Sequence, residues 1–397
     1  MAGTGSSTAT VTRWSRALVG VGVGFFVVWQ LAVLAGYPRS ATVTLGVYGF
    51  VFHVVFGKAY GLVPSYFARE LAFPYAPAVH LPLSSLGTFG AFADVAGMAP
   101  PVVGVAGTGL WLAGCLLFVG TLGWTIRGNP TGGETGTGSV DSHRVRVDRA
   151  ANAAVPIVFL YLLAGSTLAF LEALGRGPAI PPAASSHLLA AGAAALLVFA
   201  IGFRLLPRLL VVSPRPALVA VVLPAGAVGP ALLVADFGGG WPFRIGAAAL
   251  ALALVGFAAT YADLYRRSER RRTGGWVLLA AAGFAAAVAV LGVSFAAGLT
   301  SGAAFDAHYR LAVGGFLGLT IVGVTYHFYP PAVASSAFVD DRTAAVSALG
   351  LICGLILEAA GLLAGITPVT TVGGVLSVLG ASGYALVILA VFRERPV

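Results

Sequence analysis

The side chains best suited to chemistry in this chain are few, and most sit in apolar surroundings. Three of its six histidines, His53, His187 and His308, fall inside or at the start of long apolar runs. A neutral imidazole in such a place can hold haem iron or copper, and a histidine in hydrocarbon needs a partner in any case. The bland alternatives are a helix–helix hydrogen bond for His53 and a loop carbonyl for His187 and His308. His80 and His327 fall near the inner ends of their runs, where snorkelling or capping explains them, and His143 falls in a solvated loop. A second set is charged. Lys58 (the sole lysine), Asp94, Arg204, Arg310 and Glu358 all lie within apolar runs. A charge near the bilayer centre costs at least ~2.5–3.5 kcal/mol on insertion scales, so each calls for a partner or a polar cavity. Glu358 and Asp94 are the candidate partners for Lys58, and Arg204 is close enough to the inner face to snorkel. The cysteines, Cys115 and Cys353, are far apart inside apolar runs and read as buried, inert thiols. There is no P-loop, dinucleotide fingerprint, His-Glu-x-x-His or nucleophile elbow. Gly238-Gly239-Gly240 before Trp241-Pro242 reads as a turn.

These residues must be positioned by membrane-spanning helices. Of 397 residues 58% are hydrophobic and only 9% charged, too little charge to cover a soluble protein. The apolar residues come in continuous runs of about 20, long enough to cross a hydrocarbon core ~30 Å thick. Continuous runs exclude the alternating pattern of a membrane β-barrel. The expected fold is all-α, a polytopic transmembrane helical bundle of about twelve spans. They are placed near 15–36, 43–65, 80–98, 101–126, 151–173, 187–211, 215–235, 243–265, 275–298, 306–330, 343–365 and 370–392. The third is the weakest, because it carries Asp94 and several small polar residues. The first run follows Arg13 and Arg16 without a cleavage pattern and reads as a span. The net charge of +9 comes from arginines in short loops, nearly all on one side of this map. That asymmetry puts both termini in the cytoplasm of a cell-membrane protein, whose partner is the lipid bilayer and not nucleic acid. The longest loop, 128–149, is rich in Gly, Thr and Ser and reads as a flexible cytoplasmic linker.

Three spans resemble one another. The second holds Gly49-Phe50, then Gly57, Tyr60 and Pro64; the tenth holds Gly315-Phe316, then Gly323, Tyr326 and Pro330, at identical offsets. The sixth is a looser copy with Gly202-Phe203 and Pro207. His187 lies fifteen residues before Gly202, and His308 fifteen before Gly323, which would make the two histidines equivalent. Related spans four apart suggest three units of four helices, 1–127, 150–265 and 275–397, in a pseudo-threefold bundle. Tyr60 and Tyr326, one turn before the helix ends, read as interfacial belt residues.

The tenth span, Ala307-His308-Tyr309-Arg310 closing with His327-Phe328-Tyr329-Pro330, resembles the tenth helix of haem-copper oxidase subunit I. Ile201-Gly202-Phe203-Arg204-Leu205-Leu206-Pro207 resembles the sixth-span segment of the NnrS family of haem- and copper-containing twelve-span proteins. His53-Val54-Val55-Phe56-Gly57 loosely resembles that family's second-span stretch. The resemblance implies a pseudo-threefold twelve-span fold, with haem or copper held by His308, His187 and His53. Haem propionates would accept bonds from Arg310. The chain departs from the oxidase pattern at Arg310 and Thr42, where histidines are expected, and in a seventh span that lacks histidine. The expected function is therefore haem or copper binding in redox or nitric-oxide-related chemistry, not oxygen reduction, with respiratory or redox membrane partners. The alternatives are a small-solute transporter or channel, with Lys58, Asp94, Arg204 and Glu358 along a polar cavity, and a non-catalytic subunit of a respiratory complex.

Overall fold

The computed structural model describes residues 3–178, 181–300, 302–333 and 339–395, and among them there is no strand. Twelve long helices follow one another: α1 Gly3–Leu34, α2 Arg39–Tyr66, α3 Ala76–Val95, α4 Pro101–Ile126, α5 Val145–Ala173, α6 Ala183–Leu210, α7 Pro216–Ala235, α8 Trp241–Arg267, α9 Thr273–Ala296, α10 Ala303–Val333, α11 Asp341–Ala364 and α12 Thr367–Glu394. Eleven are long and apolar enough to cross a membrane. The exception is α3, the weakest span in the sequence too, with His80, Ser84, Ser85, Thr88 and Asp94 along its length. The chain is a polytopic helical membrane protein. Local chemistry sets the helix ends. Proline opens α4, α7, α8 and α12 in the first turn, where a missing N–H costs nothing. Asp340 caps α11 by accepting from the Thr343 amide at 2.8 Å, and Gly365 ends that helix at φ +70°.

The chain divides into two compact units, one of residues 1–22 with 43–204, the other of 23–42 with 205–396. Each contains helix hairpins zipped by glycine. In the first, a Cβ on Gly107 of α4 would lie 2.3 Å from the Ala91 amide nitrogen of α3. In the second, a Cβ on Gly246 of α8 would lie 2.3 Å from the Leu233 nitrogen of α7, and one on Gly373 of α12 would lie 2.5 Å from the Glu358 nitrogen of α11. Lipid supplies no hydrophobic drive for helix association, so backbone contact through small residues provides the packing.

The helices four apart share an unusual backbone. A wide, π-helical segment interrupts α2 at Thr44–Phe52, α6 at Leu188–Ala195 and α10 at Leu311–Gly318. Such helices are rare and mostly occur as single turns, often at functional sites. These three helices are also the most buried of the apolar spans. Within the first unit the π segments of α2 and α6 pack on each other. The register of α6 and α10 is fixed by contacts. Tyr161 of α5 presses on Gly192, and Phe284 of α9 presses on Gly315, each ring reaching within 2.6 Å of where a Cβ would be. The segment starts at 188 and 311, the rings at 161 and 284, and Pro207 and Pro330 are all 123 residues apart. This shifts the sequence alignment by two residues. His187 corresponds to Arg310, and His308 corresponds to Ser185.

Candidate functional site

In the first unit, two imidazoles lie in one aromatic setting. His53 ends the π segment of α2 and is fully buried. Its Nδ1–H donates to Tyr48 O at 2.9 Å, and its Nε2 meets Ser85 Oγ at 3.2 Å. His80, one turn into α3, is also fully buried and does not snorkel. Its Nδ1 bonds Tyr60 Oη at 3.0 Å, so Tyr60 is an internal partner rather than a belt residue. The Nε2 of His80 is buried with no hydrogen-bond partner. Phe56 lies 4.4 Å and Phe118 5.7 Å from its ring, centroid to centroid, and a Cβ on Gly114 would lie 3.3 Å from Nε2. Phe56 also contacts Trp111, which lies 6.4 Å from the His53 ring. The absence of a side chain at Gly114 is what lets an imidazole stand there.

In the second unit, a charge cluster is closed off from solvent. Arg310 directly precedes the π segment of α10. Its Nε and Nη2 donate to the two carboxylate oxygens of Glu358, and Nη2 also donates to Gln30 Oε1 at 2.6 Å. Ser377 Oγ donates to the same carboxylate at 2.6 Å. The guanidinium lies 4.6 Å above the Trp29 ring, and the Trp29 indole N–H donates to Tyr309 Oη. Arg310 and Glu358 are 3% and 2% exposed. Arg310 thus already holds a carboxylate of the protein's own. Glu358 is committed to Arg310 and Ser377 rather than to Lys58. Lys58 itself is half-buried, with Arg16 as its near charge. Asp94, near the end of α3, lies against Gly104 of α4.

Arg204 does not snorkel either. At 3% exposure it donates to Tyr66 O at 2.8 Å, Asn152 Oδ1 at 2.5 Å and Thr135 O at 2.7 Å, and it pairs with fully buried Asp148 at 3.6 Å. Its guanidinium stacks on Tyr66, 4.1 Å from the ring centroid. Thr135 belongs to the 128–149 loop, which is therefore not a free tether. Asn129 donates to Phe67 O, Thr137 to Asp148, and Arg149 to Gly133 O. Gly136, at φ +59°, sits so close to Ser65 O that a Cβ would lie 2.5 Å away. At the rim of this cap Arg69 bonds Glu134 at 2.6 Å, which holds the Glu134 carboxyl below its usual range and raises Arg69. His143 is exposed in a short 3₁₀ turn, as a solvated loop residue should be.

The remaining sequence candidates stay at helix starts. His187 is half-buried and its Nδ1–H donates to Ala183 O at 2.7 Å, within its own turn. His308 is half-buried, edge-on to Phe295 at 5.4 Å and near Gly292. Cys115 is buried, accepting from Ser166 at 3.4 Å, whereas Cys353 is exposed on its helix. Among the described residues, no three of His, Cys, Asp and Glu come together as a metal-holding group. Gln30, Ser377, Asp148 and Asn152 are partners that sequence reasoning passed over, and His80 was read there only as snorkelling or capping. The signals available were a lone amide, Gln30, in the first apolar run and the His80/Ser84 pair one turn apart on α3. No protein-family model and no curated protein matches this chain.

Proposed function

We propose that this chain is a multi-pass cell-membrane protein laid out like haem-copper oxidase subunit I, with its arginine-rich helix ends and both termini in the cytoplasm. It binds copper or haem through buried imidazoles and serves redox or nitric-oxide-related chemistry without reducing oxygen. The recurrence of a π segment in helices four apart supports the three-unit layout. One observation carries the cofactor reading: the His80 Nε2, fully buried and without a hydrogen-bond partner, near His53. A buried polar atom left unmade costs about 1–3 kcal/mol, and a coordinate bond would satisfy it. Donation from His80 Nδ1–H to the Tyr60 oxygen leaves the Nε2 lone pair for a metal and fixes the ring, the usual outer-shell arrangement of a ligating histidine. Phe56, Phe118 and the Gly114 backbone close around the ring, so the fit is better for a single copper ion than for a porphyrin. His53 would join as second ligand by releasing Ser85. His308 and His187, implied by the resemblance, rank behind them, because both are half-buried at helix starts.

Metal analysis and an absorption spectrum of protein purified from copper- and haem-supplied cells test the reading. About one copper per chain is expected, lost in His80→Ala and His53→Ala and kept in His143→Ala. A Soret band with the same variant pattern would assign haem instead. Colourless, metal-free protein overturns the proposal.

The buried Arg310–Glu358–Gln30 cluster favours a second reading, transport of a small solute, since ionisable groups inside a membrane commonly mark such pathways. Proteoliposome uptake abolished by Glu358→Gln or Lys58→Ala would support it, and uptake indifferent to both would remove it.

A further inference from the structure

The pairs α5–α6 and α9–α10 share one register, yet their arginine-rich ends differ. In the first pair, Arg204 is answered by Asp148 and bonds Asn152. At the same register in the second pair, 123 residues on, stand His327 for Arg204, Gly275 for Asn152 and Arg271 for Asp148. A filled, neutralised end has lost both its bulk and its acid. A cavity of about 160 Å³ occupies the place, lined by Arg208, Arg270, Arg272, Gly275 and His327, with no acidic side chain among the described residues of its wall. The N-terminus of α9 opens beside it. That helix has 24 residues, no side-chain cap and no acid in its first turn, so none of its own residues offsets its positive dipole end. His327 Nε2 is buried there without a hydrogen-bond partner, beside Gly274.

We propose that this cavity binds a phosphate group, either free phosphate or the phosphomonoester headgroup of a lipid. Guanidinium groups pair with phosphate oxygens in bidentate fashion, and a helix N-terminus adds backbone N–H donors. The bound anion takes the place that Asp148 fills in the preceding pair. This inference does not depend on the copper reading.

Two probes are offered to the full-length protein. Inorganic phosphate is titrated calorimetrically in detergent at constant ionic strength. Phosphatidic acid retention is read by native mass spectrometry from phosphatidylcholine nanodiscs doped with it. Arg272→Gln is expected to weaken binding at least about tenfold, the loss of one charge-assisted pair. Arg266→Gln, exposed at the end of α8 and outside the cavity wall, should leave binding unchanged. Should Arg272→Gln fail to fold, Arg270→Gln carries the same expectation. Binding of inorganic phosphate alone assigns a free anion, and binding of phosphatidic acid alone assigns a lipid. Binding of neither, or an equal loss in Arg266→Gln, overturns the proposal.

Discussion

Replacing Glu358 by leucine would strand the Arg310 guanidinium in an interior where it is 3% exposed. Two charge-assisted hydrogen bonds from Arg310 and one from Ser377 disappear together. Removing one member of a buried pair costs about 3–5 kcal/mol, because the other charge stays buried and uncompensated. Arg310→Met is the milder change. A carboxyl left alone can take up a proton and become neutral, which a guanidinium cannot do. The double variant, Arg310→Met with Glu358→Leu, buries no charge and should recover most of the loss. It should still fall short of the native protein by about 1–2 kcal/mol, because Gln30 and Ser377 lose partners. The expected order of stability is native, then double variant, then Arg310→Met, then Glu358→Leu, with a coupling energy of at least about 2 kcal/mol. Reversible unfolding in mixed micelles, followed by tryptophan fluorescence over the four-corner cycle, measures it. Additive effects, or a Glu358→Leu loss below about 1 kcal/mol, would refute the claim that the pair is desolvated and mutually dependent.

Three further outcomes follow from particular contacts. Gly107→Ala places a methyl 2.3 Å from the Ala91 nitrogen and must part α3 from α4, costing about 1–3 kcal/mol in thermal denaturation. Gly120→Ala on the same helix meets nothing within 4 Å and should be neutral or slightly stabilising. Arg204→Met removes the guanidinium facing Asp148 and withdraws a donor from Thr135 O, so limited proteolysis should cut the 128–144 loop faster than in the native protein. The Arg69–Glu134 contact gives a pH dependence of defined sign. The carboxyl is held below its usual range, so the contact's support is complete above the unfolded carboxylate value, ~4.3, and is lost as pH falls through the folded value. Loop cleavage should rise with acid over that interval, and Glu134→Gln should flatten the rise.

The spans were legible because a bilayer imposes a length and a polarity on every helix that crosses it. Among the described residues the one long helix too polar to stand out as a span is α3, whose polar side chains are turned inward. His80, Ser84 and Thr88 are all buried, and hydropathy cannot tell a polar group facing protein from one facing water. Partnerships were illegible for a different reason. Arg310 meets Glu358 from 48 residues away and Gln30 from 280, and nothing local to either position records that. The 128–149 loop misled through composition. Its ties run largely to backbone oxygens, such as Asn129 to Phe67 O and Arg204 to Thr135 O, and a Gly/Thr/Ser-rich sequence supplies those as readily as it supplies a tether.

The repeat was visible as recurring Gly-Phe and Pro, but its register needed the packing. The sequence sets Gly202 level with Gly323, whereas the glycine–aromatic contacts set Gly192 level with Gly315 and so Ala200 level with Gly323. Correcting this exchanges the chemistry at equivalent places: His187 for Arg310, Arg204 for His327, Asp148 for Arg271. A shared backbone with unlike charges at matched positions fits a scaffold whose functions sit in local substitutions rather than in the fold. The π segments belong to the scaffold, since they hold their place in α6 and α10 to the residue while the side chain just before them changes from imidazole to guanidinium. A wide turn that tolerates that exchange does not depend on either polar group, and the glycine–aromatic contact beneath it is the feature α6 and α10 share. Filling that contact with Gly192→Leu or Gly315→Leu should therefore disturb its helix more than removing His187 does.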